Sequence, residues 1–252
     1  MLKWIDERRA AWLISRSRHH AALTDMPERV RKYWQLNAGA EFEGIPTGAF
    51  FYARASEGLM TFFACIEQAE GKACALPSKA ADSVWHAWLK ADPIGLDKFT
   101  LKHFGQRIPH VEARSMATEM GEALARSLVL SRGLDRKPPE GPGIPGLFAL
   151  DGKLRMPQGY GYRMRDGEIG YSILDYHGRA GASMHFPPAL AAAGLLSAGL
   201  ITQEMYEAAL IRRDNEGSSC GSSSSSSSGG DSDSDGGDGG SSCGGGGCGG
   251  GD

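Results

Sequence analysis

Asp82, His86, His103 and His110 are residues whose types and spacing can do chemistry. They fall within Leu76–Glu112, LPSKAADSVWHAWLKADPIGLDKFTLKHFGQRIPHVE, which also carries Trp85, Trp88, Phe99 and Phe104. Asp82 and His86 stand at positions i and i+4, so on a helix they share one face. An aspartate there orients an imidazole and raises its basicity, as carboxylates behind metal-bound histidines do. If the helices carrying His86 and His103 form a hairpin, His86 and His110 come within reach of each other. A histidine site for zinc or iron follows, with His103 as a further candidate ligand and Asp82 behind His86. The competing reading wedges the same histidines between Trp85, Phe104 and Pro109 as packing. The chain has no His-Glu-x-x-His and no paired Cys-x-x-Cys, so no short metal motif decides between the two.

A second set of candidate groups lies far away. From Gly217 to Asp252 the chain contains only Gly, Ser, Asp and Cys, and three thiols sit there: Cys220, Cys243 and Cys248. They can carry a soft metal or a covalently attached group. The alternative is a flexible acidic spacer, because such a segment has no apolar side chains to offset its ordering entropy. Cys65 lies on the apolar face of a helical pattern, where a reduced cysteine behaves as a small hydrophobe, and Cys74 follows a turn. Five cysteines make an odd count without a disulfide framework, which fits a reducing compartment and a cytoplasmic location. No Gly-x-Ser-x-Gly is present, and the glycines of GLFALDGK and GYGYRMRDG lack the order of a phosphate-binding loop.

The elements that must position these groups are mostly helical. Leu2 to about Leu23 has helical periodicity, with Trp4, Ile5, Trp12 and Leu13 expected on one face and Asp6 to Arg9 pointing away. His19-His20 then forms a solvated helix end. Asp25 is expected to cap a second helix, with Pro27 in its first turn and Asn37-Ala38-Gly39 at its end. Phe50 to Gln68 is apolar at helical spacing, with Gly58 a place where it can split. Ser78 caps the helix to Lys90, Asp92-Pro93 starts the next, and Gly105 ends it in the left-handed conformation. Ile108-Pro109-His110 is extended. Glu112 to Arg132, with Met116 on its apolar face, is helical again and stops at Gly133.

At Lys137 the texture changes to KPPEGPGIPG, a linker. Two Asp-Gly pairs follow, and each predicts a hairpin with a type I′ turn: Leu147–Met156 around Asp151-Gly152, and Tyr160–Leu174 around Asp166-Gly167. Arg163, Arg165 and Arg179 among the aromatics of the second hairpin suit either a nucleic-acid face or a solvated one. Phe186-Pro187-Pro188 opens a helix of small residues ending at Gly199, and Thr202 caps a last helix.

Pro77-Ser78, Asp82-x-x-Trp85-His86, Phe99 and Phe104-Gly105-x-x-Ile108-Pro109-His110 together resemble the glycine-rich domain-containing proteins, whose DUF1399-type core carries Pro-Ser, Asp-x-x-Trp-His and Phe-Gly followed by His. The resemblance covers about residues 59–113, and implies a helical fold. The chain departs from that pattern at Trp88, where many members have a second histidine, and in lacking their cysteine before the Phe-Gly turn. LLSAGLITQEMYEAALIRR resembles the short C-terminal helical module called SHOCT, which implies oligomerisation through these helices.

The fold class expected is therefore mainly α with a small β portion (α+β). Its parts are a helical domain (1–136), a linker with small β-hairpins (137–186), a C-terminal helix pair (187–216) and a disordered, glycine-rich, low-complexity tail (217–252). After Arg213 there are seven acids and no base, so against a whole-chain net charge of −3 the body is near +4, too weakly basic to argue for nucleic acid. No apolar run of membrane-spanning length occurs, and the N-terminus has the wrong charge pattern for a secretory signal. The leading functional expectation is a non-enzymatic interaction or scaffold protein with protein partners. Its rivals are a metal-binding protein or metal-dependent enzyme using His86 and His110, and a thiol or metal carrier acting through the tail.

Overall fold

The computed structural model describes residues 2–111 and 120–217. The first helix, α1 (Leu2–Arg16), is followed after a turn at Ser17–His19 by α2 (His20–Asp25), so the single helix expected to Leu23 is two. The face of α1 is also not the expected one. Ala10 and Leu13 are buried, against Ala49 and Ala53 of a later helix, while Trp4, Ile5 and Trp12 are exposed. An alanine-lined partner lets the helices approach closely and leaves no room for an indole between them.

Helix α3 spans Glu28–Glu41. Pro27, not Asp25, precedes it, with extended backbone and no side-chain cap. Asp25 instead ends α2 and accepts hydrogen bonds from Lys102 and His103. Asn37 does not stop α3: its Nδ2 donates back to the Tyr33 carbonyl at 2.8 Å, and the helix runs on to Glu41. That extra half-turn positions a site residue. Helix α4 (Ala49–Gln68) is unbroken and lies against α1, α3's partner α5 (Lys79–Ala91) and α7 (Met120–Leu134). Gly58 does not split it. A Cβ there would lie 2.3 Å from Leu150 Cδ2, so the glycine is a notch for a neighbouring leucine.

The start of α5 and of α6 (Pro93–Phe104) follows their caps. Ser78 Oγ accepts from Ala81 N at 3.2 Å, and Asp92 Oδ1 accepts from Gly95 N at 3.0 Å. Gly105 closes α6 at φ +69°, which only glycine adopts without strain. Helix α7 passes Gly133 and ends at Leu134; Met116 lies outside the described residues. Cys65 and Cys74 are free thiols. Burial pushes the Cys65 thiol far above its ordinary range, as suits an inert core residue.

The first expected hairpin is absent. Leu150–Leu154 forms a short helix, α8, which ends at Arg155 with φ +52°. Asp151 turns inward rather than sitting in a surface turn. Its Oδ1 accepts from Ser78 Oγ–H (2.6 Å) and Ala80 N (3.0 Å), and its Oδ2 from Lys79 N (3.0 Å) and Tyr160 N (2.9 Å). Four donors, with burial of Leu147, Phe148, Leu150 and Met156, outweigh the local Asp-Gly preference. The second hairpin forms as expected. β1 (Tyr160–Arg165) pairs antiparallel with β2 (Glu168–Ile173), with Tyr160 opposite Ile173 and Arg165 opposite Glu168. Asp166 and Gly167 have φ of +52° and +75°, the two positive angles of a type I′ turn. Two strands alone are marginal. Tyr162 packs edge-on to Phe148 at 4.9 Å, and one hydrophobic core runs from Ala22 to Ile201.

A 3₁₀ turn at Pro188–Leu190 leads to α9 (Ala192–Ser197) and α10 (Gln203–Gly217). Gly199 at φ +65° and Thr202, whose Oγ1 accepts from Met205 N at 3.3 Å, make the turn between them. The protein is thus mainly helical with one small antiparallel sheet. The described residues all belong to one compact unit, Met1–Ser219. The tail expected to be disordered, with Cys220, Cys243 and Cys248, lies outside the described residues.

Candidate metal centre

Asp82 and His86 occupy the edge of α5, where its buried stripe of Ala81, Val84, Trp85 and Trp88 gives way to the surface. His110 reaches the same point from a different segment. Gly105 turns the chain out of α6, Ile108 is anchored in the core, and Pro109 keeps the next stretch extended. The His110 ring then meets the edge of Trp85, with ring centres 4.6 Å apart.

Three ligand-type atoms converge here. His86 Nε2 lies 3.1 Å from His110 Nε2, and Asp82 Oδ1 lies 3.4 Å from His110 Nε2 and 3.5 Å from His86 Nε2. Among the described residues this is the one group of three with metal-ligand atoms so close together. The circle through the three atoms has a radius of about 1.9 Å. One zinc ion could therefore be held by all three atoms at ordinary bond lengths of about 2.1 Å, and three protein ligands would leave a position open. Without an ion, the same spacing allows a hydrogen bond between the two imidazoles.

The residue behind His86 is Glu41, at the end of α3. Its Oε1 accepts from His86 Nδ1 and its Oε2 from Lys90 Nζ, the latter at 2.8 Å. Burial favours the neutral Glu41 carboxyl, but the hydrogen bonds from Lys90 and His86 outweigh it and hold the group below its ordinary range. A proton on Nδ1 leaves the Nε2 lone pair free to face the triangle. The carboxylate that accepts from the far nitrogen of His86 is therefore Glu41, while Asp82, expected behind His86, places its Oδ1 beside the two Nε2 atoms. Nothing local in the sequence marks Glu41, which is far from His86 along the chain and joins it only through the packing of α3 on α5.

His103 is not part of this group. Its Nε2 pairs with Asp25 Oδ2 at 2.9 Å, and its ring lies on Phe99. His19, expected in solvent, is partly buried beside Thr61 Oγ1 (3.3 Å); burial, aided by neighbouring Arg18, lowers its pKa to about 4. The tail thiols lie outside the described residues.

The three converging residues line a cleft of about 1110 Å³, slightly larger than most small-molecule sites. Its other walls include Ile66, Lys72, Cys74, Lys79, Gln158 and Tyr160. Lys79 Nζ sits 5.4 Å from the centre of the Tyr160 ring. Gln158 is held at φ +54°, an uncommon angle for a side chain of its type.

A family model described as UCP032817-like matches residues 52–171, just under half of the chain. The matched span runs from α4 to β2 and takes in Asp82, His86, His110 and Asp151, while Glu41 precedes it. No curated protein and no solved structure matches the chain.

Proposed function

We propose that Asp82, His86 and His110 bind a divalent transition metal, zinc foremost and ferrous iron as the alternative, and that the ion serves chemistry on a small molecule held in the adjoining cleft. The observation that carries this is the triangle of 3.1, 3.4 and 3.5 Å between ligand atoms, with one imidazole already held in the ligating tautomer by Glu41. Three protein ligands leave a position for water or substrate, as in catalytic rather than structural zinc sites. Two histidines and one carboxylate also suit ferrous iron. The test is metal analysis of protein purified without an affinity tag, followed by calorimetric titration of the stripped protein with zinc and, anaerobically, with ferrous iron. One equivalent is expected, and the His86→Ala/His110→Ala double variant is expected to lose it. Absence of tight binding of either ion to a folded, stripped protein would leave the histidines as packing.

A second reading concerns the C-terminal pair. Leu210 and Ile211 stand exposed on α10, and the SHOCT-like resemblance implies self-association there. Light scattering of the wild type and an Ile211→Glu variant tests it: a monomeric wild type removes this reading.

A further inference from the structure

Helix α1 keeps its acids off one face. Asp6 turns inward and its Oδ2 accepts from Phe50 N at 3.2 Å; Glu7 is paired with Arg31; Arg9 lies over the Phe50 ring at 4.2 Å. The opposite arc carries Trp4, Arg8, Trp12 and Arg16, each one helical turn from the last. Arg8 stacks on Trp4 at 4.8 Å and Arg16 on Trp12 at 5.0 Å. The rest of that arc is Ile5, Ala11 and Ser15, so it has no acid. Trp4 is 62 % exposed, Trp12 60 % and Ile5 43 %.

Two large indoles and an isoleucine on one face cost free energy in water unless something covers them. We propose that this ladder is a peripheral membrane-binding face that lies on an anionic lipid surface. Indoles prefer the headgroup layer, where an apolar body and a polar edge are both satisfied. The guanidiniums, held against the rings, are level with lipid phosphates when the indoles insert. The alternation suits a surface that offers apolar depth and negative charge everywhere. An acidic protein partner would have to place carboxylates at two guanidiniums already stacked on indoles and also supply an apolar floor for the rings between them, whereas a lipid surface supplies phosphates and apolar depth at every position. Among the described residues no helix is long and apolar enough to cross a membrane, so the association would be on the surface.

The test is co-sedimentation of the full chain with phosphatidylcholine vesicles, with and without phosphatidylglycerol, at low salt. Binding is expected only when the anionic lipid is present, with a blue shift of tryptophan emission. Trp34, Trp85 and Trp88 are already buried, so that shift reports Trp4 and Trp12. The Arg8→Gln/Arg16→Gln variant is expected to lower partitioning on the order of thirtyfold, and Trp4→Ala/Trp12→Ala to abolish the shift and weaken sedimentation. These side chains point outward, and circular dichroism with thermal melting checks that the variants remain folded. No sedimentation with the anionic vesicles, equal binding to neutral ones, or undiminished binding by both folded variants would overturn the proposal. Retention on an acidic polypeptide resin without vesicle binding would overturn it in favour of an acidic protein partner.

Discussion

Replacing Asp151 by alanine removes the acceptor for four donors at once: Ser78 Oγ–H and the amides of Lys79, Ala80 and Tyr160. The hydroxyl of Ser78 can rotate to another acceptor, but the three amides are fixed by the backbone. Each fully buried donor left unpaired costs about 1–3 kcal/mol, an upper bound of roughly 3–9 kcal/mol for the three, since the Lys79 and Tyr160 amides are only partly buried. Against this, the variant no longer buries a carboxyl, whose pKa burial pushes up despite the four bonds that favour the charge. The net expectation is about 4 kcal/mol of lost stability, within the range for breaking a buried charged contact. For a domain of this size that is a fall in Tm of roughly 8–16 °C. Asp151→Asn should lose less, about 2–3 kcal/mol, because one end of the amide still accepts while its NH2 faces two donors. Urea unfolding of the three proteins, followed by tryptophan emission and by circular dichroism, measures both values. An Asp151→Ala protein within about 1 kcal/mol of the wild type would refute the claim that this carboxylate ties the Ser78-capped start of α5 to the start of β1.

Three further outcomes follow from other residues. Glu41→Gln should weaken zinc binding by about 10- to 100-fold while keeping one equivalent, since a residue behind a ligand tunes it without replacing it; calorimetry reads this directly. His19 stays neutral in the fold down to about pH 4, whereas the unfolded value is 6.5. Its folded pKa is depressed, so its contribution is intact above pH 6.5 and is lost as pH falls through the window to 4; the urea-unfolding free energy of wild type should fall relative to His19→Gln across that window by about 2 kcal/mol, after allowance for partial exposure. Gly58→Ala gains helix propensity but drives a methyl into Leu150, so it should cost about 1–3 kcal/mol. Adding Leu150→Ala should then cost less than it does alone, and a double-mutant cycle without coupling would show that the notch is not tight.

The most legible parts of the chain were those set by local rules. Ser78 and Asp92 cap because their short acceptors reach the next turn, Gly105 reverses the chain because only glycine tolerates its φ, and Asp166-Gly167 turns a hairpin because both angles must be positive. The pairing of His86 with His110 was legible as a conditional, since it needed the α5–α6 turn to bring the two segments together. What could not be read locally was decided by packing. The tryptophans of α1 look like a core stripe, but α4 presents alanines, and Ala10 and Leu13 fill that space. Asp151-Gly152 has the same dipeptide as the true hairpin turn, yet donors from α5 and β1 draw Asp151 inside. Glu41 reaches His86 across two helices, and neither its type nor its position announces a partner so distant in sequence.

The Asp151 carboxylate also has a consequence for local opening. The amides of Lys79, Ala80 and Tyr160 belong to segments about eighty residues apart, and they share one acceptor. Hydrogen exchange at those amides should therefore report one opening event with one free energy, even though a proline-rich stretch lies between the segments in sequence. Through that carboxylate the start of β1 is kinetically part of the helix whose edge carries Asp82 and His86.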